Sequence, residues 1–171
     1  MGPLFIIGQV FGIIAVILGF LSYQMRTRRQ ILLSLSATVI SMTLHYLFLG
    51  AYTGMAMNAV SLIRNIAYDY RDRKEIKSRL IPIAFTAIQV VIGIITWQAW
   101  YSIFVLVGIA INTYCVGLCN SQNLRKSILV TSPLVLIYNI FTMALSGIVF
   151  EVVGIVSATI GIIRHRKNCE N

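Results

Sequence analysis

Long apolar runs separated by short polar breaks dominate the chain. A transmembrane helix needs about 20 mostly apolar residues, within a range of roughly 17 to 25. Seven runs come close to that length, and each predicts a helix because lipid offers no partner to an open strand edge. These runs cover residues 4–24, 31–49, 54–70, 80–97, 100–119, 127–145 and 148–163. The pattern therefore predicts an all-α integral membrane protein with seven transmembrane helices.

The basic residues support a count of seven. Loops on one side of the predicted bundle, together with the C-terminal tail, hold 13 of the 14 Lys and Arg residues. These basic segments are 26–29, 71–79, 125–126 and 164–167. The opposite loops, around 50–53, 98–99 and 146–147, hold none, whereas six crossings would put basic loops on both sides. Because cytoplasmic loops are rich in Lys and Arg, we expect the N-terminus outside and the C-terminus in the cytoplasm.

Composition agrees with a membrane protein. The chain is 58% hydrophobic and 11% charged, against about 25% charged residues in a soluble domain. The net charge of +9 could indicate nucleic acid, but its confinement to one set of loops favours a role in topology and contact with anionic lipid heads. The first apolar run has basic residues after it and none before it, which is the reverse of a signal peptide.

Two segments of the chain match each other. Residues 44–71 and 136–167 each hold the end of one apolar run, a short turn and the next run. Asn58 aligns with Glu151, and His45 aligns with Tyr138. A unit of three helices ends on the side opposite its start, so a second copy in the same orientation needs one extra crossing. The sequence thus predicts a three-plus-one-plus-three arrangement with parallel repeats.

This arrangement divides the chain into four parts. We expect a first three-helix repeat over residues 1–74, a linker helix over 75–98, a second repeat over 99–167 and a cytoplasmic tail over 168–171. Small residues along the first and seventh helices would allow close packing of backbones in lipid.

Glu151 is the only acidic residue away from the loops and the tail. A charged group at a helix centre costs about 2.5 to 3.5 kcal/mol on the insertion scale. The functional interpretation is a group that binds substrate or couples transport to protons. The alternatives are a structural ion pair with Arg64 or an acid that reaches the surface. Arg64 and Asn65 lie nearer the cytoplasmic end, where a long basic side chain is expected to snorkel to the interface.

Further polar side chains lie inside the predicted helices. Asn58 could recognise a hydroxylated solute through its paired donor and acceptor, or make an interhelical hydrogen bond. His45 and Tyr138 would line the same site or act as interface anchors. Asn112 and Asn139 are candidates for the same cavity.

Metal and enzyme chemistry have little support. Cys115 and Cys119 share a helix face, and His165 and Cys169 are predicted on the same membrane side, but their spacing matches no standard zinc pattern. Small buried thiols are the better interpretation. The sequence has no phosphate-binding loop and no nucleophile–base pair, so we expect neither a cofactor nor an enzyme.

Several short motifs carry a family resemblance. Ser22-Tyr23-Gln24 ends the first helix, an aromatic cluster with a glycine ends the second, and Asn58 lies in the third. In this order they resemble the SWEET, semiSWEET and PQ-loop families of small-solute transporters. More closely, nearly the full chain resembles the bacterial inner-membrane proteins of the YgjV type. The resemblance implies an inner gate at Gln24 and a hinge proline before it; that proline is absent, and Pro133 could kink a helix instead.

Together these features predict a SWEET-like transporter of a small polar solute in the bacterial inner membrane, either a facilitator or proton-coupled. The site would lie between the two repeats. The alternative is a membrane scaffold or receptor that kept the fold without transport, which the missing hinge proline favours. The expected partners are the bilayer and the solute, without nucleic acid, and a homo-oligomer stays open.

Overall fold

The computed structural model describes residues 3–24, 28–76, 78–117 and 121–166, and this part of the chain forms seven helices and no strand. The helices are α1 (Pro3–Gln24), α2 (Arg28–Leu49), α3 (Tyr52–Arg73), α4 (Leu80–Ile95), α5 (Ser102–Gly117), α6 (Ser121–Phe141) and α7 (Leu145–Arg166). The predicted number of helices is confirmed. Two of them, over Leu4–Ser22 and Arg29–Leu49, are long and apolar enough to cross a membrane by length and composition alone, and four shorter helices are also apolar.

The turn before α7 differs from its predicted position. The sequence pattern put it at Ser146 and Gly147, but α6 ends at Phe141 and α7 begins at Leu145. Met143 takes a left-handed conformation with φ of 54°, and the Ala144 amide donates back to the Asn139 carbonyl at 2.9 Å. A left-handed residue ends a helix regardless of its hydropathy, so the apolar run conceals the turn.

Six of the helices pack as a closed ring. α2 lies between α1 and α3, α6 lies between α5 and α7, and the ring closes where α3 contacts α5 and α1 contacts α7. α4 lies outside the ring against α3 and α5. The buried Gln89 amide joins α4 to α3, because its Nε2 donates to Ser61 Oγ at 2.9 Å and to the Met57 carbonyl at 3.2 Å.

The two closing seams of the ring match each other at a spacing of 93 residues. At one seam, the hydroxyls of Thr53 on α3 and Ser102 on α5 lie 3.4 Å apart. At the other, the Ser146 hydroxyl on α7 donates to Gln9 Oε1 on α1 at 2.8 Å. Adding 93 to Thr53 gives Ser146, and adding 93 to Gln9 gives Ser102. Positions that are 93 residues apart therefore make similar contacts at the two seams, although the residue types differ.

Polarity is reversed relative to a soluble protein. Long aliphatic side chains such as Ile6, Ile17 and Ile94 point outward, while many hydroxyl and amide side chains are buried inside the ring. Several of those hydroxyls donate to a carbonyl four residues earlier in their own helix, as Thr38 does to Ser34 at 2.9 Å. This distribution is favourable in a bilayer, because lipid solvates aliphatic groups and offers no hydrogen bonds.

Candidate functional site

A cavity of about 130 Å³ lies inside the ring of helices. This volume is well above the ~10–15 Å³ that one water molecule needs, so a small solute fits. Ten of its twenty lining residues carry a polar or charged group, where a purely structural core would hold leucine and phenylalanine. Those ten are Thr38, Tyr46, Asn58, Ser61, Arg64, Asn65, Asn112, Thr131, Ser132 and Glu151.

The cavity extends along much of the bundle. We call the end that holds the turns at 50–51, 96–101 and 142–144 the turn end, and the opposite end the basic end. On α2 the lining residues run from Tyr46 near the turn end to Ile31 near the basic end. At 1.5 Å per residue this is roughly 22 Å of helix. At the basic end the lining also includes Val116, the penultimate residue of α5.

Asn58 on α3 and Glu151 on α7 both line the cavity. Asn58 Nδ2 donates to the Gly54 carbonyl at 2.8 Å, which leaves its Oδ1 as an acceptor toward the cavity. Ser132 on α6 lines the cavity as well. Asn112 on α5 also lines the cavity, and no hydrogen bond joins its side chain to a described residue. The structure therefore brings together three of the six predicted binding residues.

Two of the other three predicted binding residues, Tyr138 and Asn139, lie in the turn-end closure, which we define as Tyr46, Gly54, Tyr138 and Asn139. The Tyr46 hydroxyl donates to Asn139 Oδ1 at 2.6 Å, and the Gly54 amide donates to the Tyr138 hydroxyl at 2.9 Å. The two tyrosine rings meet edge to face with centroids 6.0 Å apart. Tyr138 and Asn139 are fully buried and outside the cavity lining. Both lie within the last four residues of α6, at the turn end of the bundle.

His45 joins α2 to α1. Its Nδ1 donates to the Gly8 carbonyl at 2.7 Å, and a Cβ added at Gly12 would lie 2.9 Å from the same nitrogen. The imidazole is fully buried and outside the cavity lining, and its Nε2 has no partner among the described residues. Its position fits helix packing rather than direct contact with a solute in this cavity.

Of the two gate or hinge candidates, Gln24 and Pro133, the structure describes only the side chain of Pro133. The Gln24 side chain lies outside the described residues. Pro133 lies within α6, with its side chain exposed on the face away from the cavity. Pro133 has no amide hydrogen to donate to the preceding turn, so α6 lacks one backbone hydrogen bond at this point.

Arg64 is a cavity residue that the sequence did not identify. It was expected to snorkel, but this is wrong: it is 5% exposed and lines the cavity. Its Nη1 donates to Thr113 Oγ1 on α5 at 2.7 Å, and its Nε and Nη2 donate to Asn65 Oδ1 at 3.1 and 2.8 Å. The predicted alternative of an Arg64–Glu151 ion pair is also wrong, since Arg64 forms no salt bridge with a described residue.

The cysteine cluster is only partly described. Cys115 is a half-buried free thiol on α5. Cys119, Cys169 and the His165 side chain lie outside the described residues. Within the part of the chain that can be described, no group of three potential metal ligands comes together.

The comparisons with known proteins give one match. A family model described as "Imp-YgjV: Bacterial inner membrane protein" matches residues 6–169. The chain matches none of the curated proteins and none of the solved structures. The family match covers nearly the whole chain, and the outward-facing aliphatic side chains fit a membrane protein. The chain therefore belongs to the YgjV family of bacterial inner membrane proteins.

Proposed function

We propose that this protein binds a small polar solute in the cavity and moves it across the inner membrane, in the manner of a SWEET-like transporter and not of an enzyme. The observation that carries this proposal is a cavity of about 130 Å³ that reaches Asn58 and Glu151. An amide oxygen and a carboxyl on facing helices provide hydrogen-bonding groups of the kind that fix a polar ligand in an otherwise apolar site.

The proposed movement is a rocking of α1–α3 against α5–α7, with α4 as a linker. The matching seams at a spacing of 93 residues support two such halves. Breaking the Tyr46–Asn139 contact between α2 and α6 would open the turn end, while closer approach of the halves at the basic end would seal the opposite route. Substrate sites between internal repeats are common in secondary transporters.

The proposed orientation puts the basic loops in the cytoplasm. The turn end then faces the periplasm, with the N-terminus there and the C-terminus in the cytoplasm. In this orientation the described conformation is closed to the periplasm, and its cavity extends toward the cytoplasm.

The proposal is tested by solute counterflow in vesicles that contain the purified protein, with labelled sugars, polyols, amino acids and organic acids. We expect uptake of one class, with loss of that uptake in Asn58→Leu and Glu151→Gln. Thr159→Val is the matched control, because its exposed side chain only donates to the Ile155 carbonyl of its own helix. Absence of uptake for every class by a folded protein would overturn transport and support the scaffold or receptor alternative.

A further inference from the structure

An unpaired buried arginine is the least expected group in the cavity. The described acidic residues are engaged elsewhere or distant: Asp72 pairs with Arg71 at 2.9 Å, and Asp69 pairs with Arg73 at 2.5 Å. Glu151 lines the same cavity but forms no salt bridge with Arg64. Arg64 comes six residues after Asn58 on α3, so it lies roughly 9 Å further along the helix. Asn58 is the position that matches Glu151.

The hydrogen bonds of Arg64 leave part of its guanidinium free. A guanidinium has five N–H donors, and three are used on Asn65 Oδ1 and Thr113 Oγ1, both of which are neutral. One N–H on Nη1 and one on Nη2 have no acceptor within the described residues. Such a pair matches the fork with which arginine binds a carboxylate or a phosphate.

Asn65 adds a third donor beside this fork. It is 1% exposed, lines the cavity, and its Oδ1 is fixed as the acceptor from Arg64. Its Nδ2 therefore presents N–H groups, and that nitrogen has no partner in the described part of the protein. A buried donor without an acceptor is normally costly, by about 1–3 kcal/mol, so it indicates a missing acceptor.

We propose that Arg64 and Asn65 form an anion-binding subsite of the cavity, which takes the carboxylate or phosphate group of a small solute. The proposal rests on the proposed function and narrows its substrate class from polar solutes to anionic ones. The bound anion would neutralise the guanidinium, which has no carboxylate partner among the described residues, and would accept from the orphaned Asn65 amide. Thr113 on α5 holds the guanidinium in place from the other half.

The decisive variant is Asn65→Asp, because it is nearly isosteric and supplies a carboxylate next to Arg64. In this variant the protein itself provides the counter-charge. We expect a higher melting midpoint without ligand and no response to added anions. Arg64→Gln removes the fork and should also abolish the response. The matched control is Arg71→Gln, which changes a buried arginine on the same helix that already has an acidic partner and lies outside the cavity lining.

The assay is thermal unfolding of the full chain in a nonionic detergent during titration with acetate and with inorganic phosphate. Wild type and Arg71→Gln should show a saturable rise of about 5 °C or more at a hundredfold excess over Kd. An equal rise in Asn65→Asp, or no saturable rise in wild type, would overturn the subsite. The same titration with detergent-solubilised phosphatidylglycerol, and with phosphatidylcholine as its control, distinguishes a lipid headgroup from a soluble anion. If phosphatidylglycerol alone raised the melting midpoint, and did so only with Arg64 present, a solute would be overturned as the ligand.

The failure of this subsite can be separated from the failure of transport. If counterflow of a neutral solute requires Asn58 but is unchanged in Asn65→Asp and Arg64→Gln, transport stands and the anionic subsite is overturned. If anions stabilise the protein through Arg64 but no labelled anion or neutral solute is taken up, the subsite stands and transport is overturned.

Discussion

The Tyr46–Asn139 hydrogen bond in the turn-end closure allows a direct energetic test. Tyr46→Phe removes one buried hydroxyl and leaves the ring in place. Asn139 Oδ1 then loses the donor that lies 2.6 Å away. Since Asn139 Nδ2 already has no described partner, the whole side-chain amide would be left without a partner in the described structure.

The expected loss of stability depends on whether values from soluble proteins or from membrane proteins apply. In soluble proteins, a buried polar group that loses its partner costs about 1–3 kcal/mol. In membrane proteins, double-mutant cycles give coupling energies near 0.6 kcal/mol on average and about 1.7 kcal/mol at most. The bond is short and both side chains are buried, so we expect a coupling in the upper part of the membrane range, about 1–1.7 kcal/mol. For a chain of this size, each kcal/mol shifts the melting midpoint by about 2–4 °C.

The assay is a double-mutant cycle of Tyr46→Phe and Asn139→Leu, followed by thermal unfolding in one detergent. Each single variant should have a lower melting midpoint than wild type. The decrease in the double variant should be smaller than the sum of the two single decreases. Tyr114→Phe is the control, because that tyrosine is exposed on α5, and its midpoint should stay unchanged. Strictly additive effects would show that the two residues do not interact, and the closure as described would be wrong.

Three further predictions concern packing and access. Gly12→Ala should destabilise the protein by about 1–3 kcal/mol, because its Cβ would lie 2.2 Å from Ser146 Cβ; an unchanged melting midpoint would contradict the α1–α7 seam. Gln89→Leu should change stability by less than about 1.5 kcal/mol, because its Oε1 is already unpartnered and Ser61 keeps its own bond to a backbone carbonyl. Thr131→Cys, in a chain whose native cysteines are replaced by serine, should react with a small charged thiol reagent added from the basic end and not from the turn end; faster labelling from the turn end would contradict the closure.

The sequence predicted the fold further than the site. The lengths of the apolar runs and the distribution of Lys and Arg are enough to count helices. Bilayer thickness constrains the first, and membrane topology constrains the second. The match between Asn58 and Glu151 also followed from sequence, and both line the cavity. The turn at Met143 did not follow, because a methionine inside an apolar run carries no sequence signal for a left-handed conformation.

Rotation about the helix axis explains the remaining differences. His45 and Tyr138 were predicted to line the site, but each ring packs against a neighbouring backbone, at Gly8 and Gly54 respectively. Arg64 was assigned to the interface by its distance from the helix end. Helical spacing offered a signal against this, since Arg64 lies three residues after buried Ser61 and four before buried Tyr68, and such positions share a face.

The proposed repeat has a chemical consequence at the interface between its two halves. Tyr46 and Asn139 are separated by the same 93 residues as the other equivalent positions, so each occupies the place of the other in its own half. Two identical halves would put tyrosine against tyrosine here, and at the Asn58 level they would set two carboxyls or two amides opposite each other. The chain instead provides a matched donor and acceptor at the closure, and one acid, Glu151, in the lining of the cavity below it.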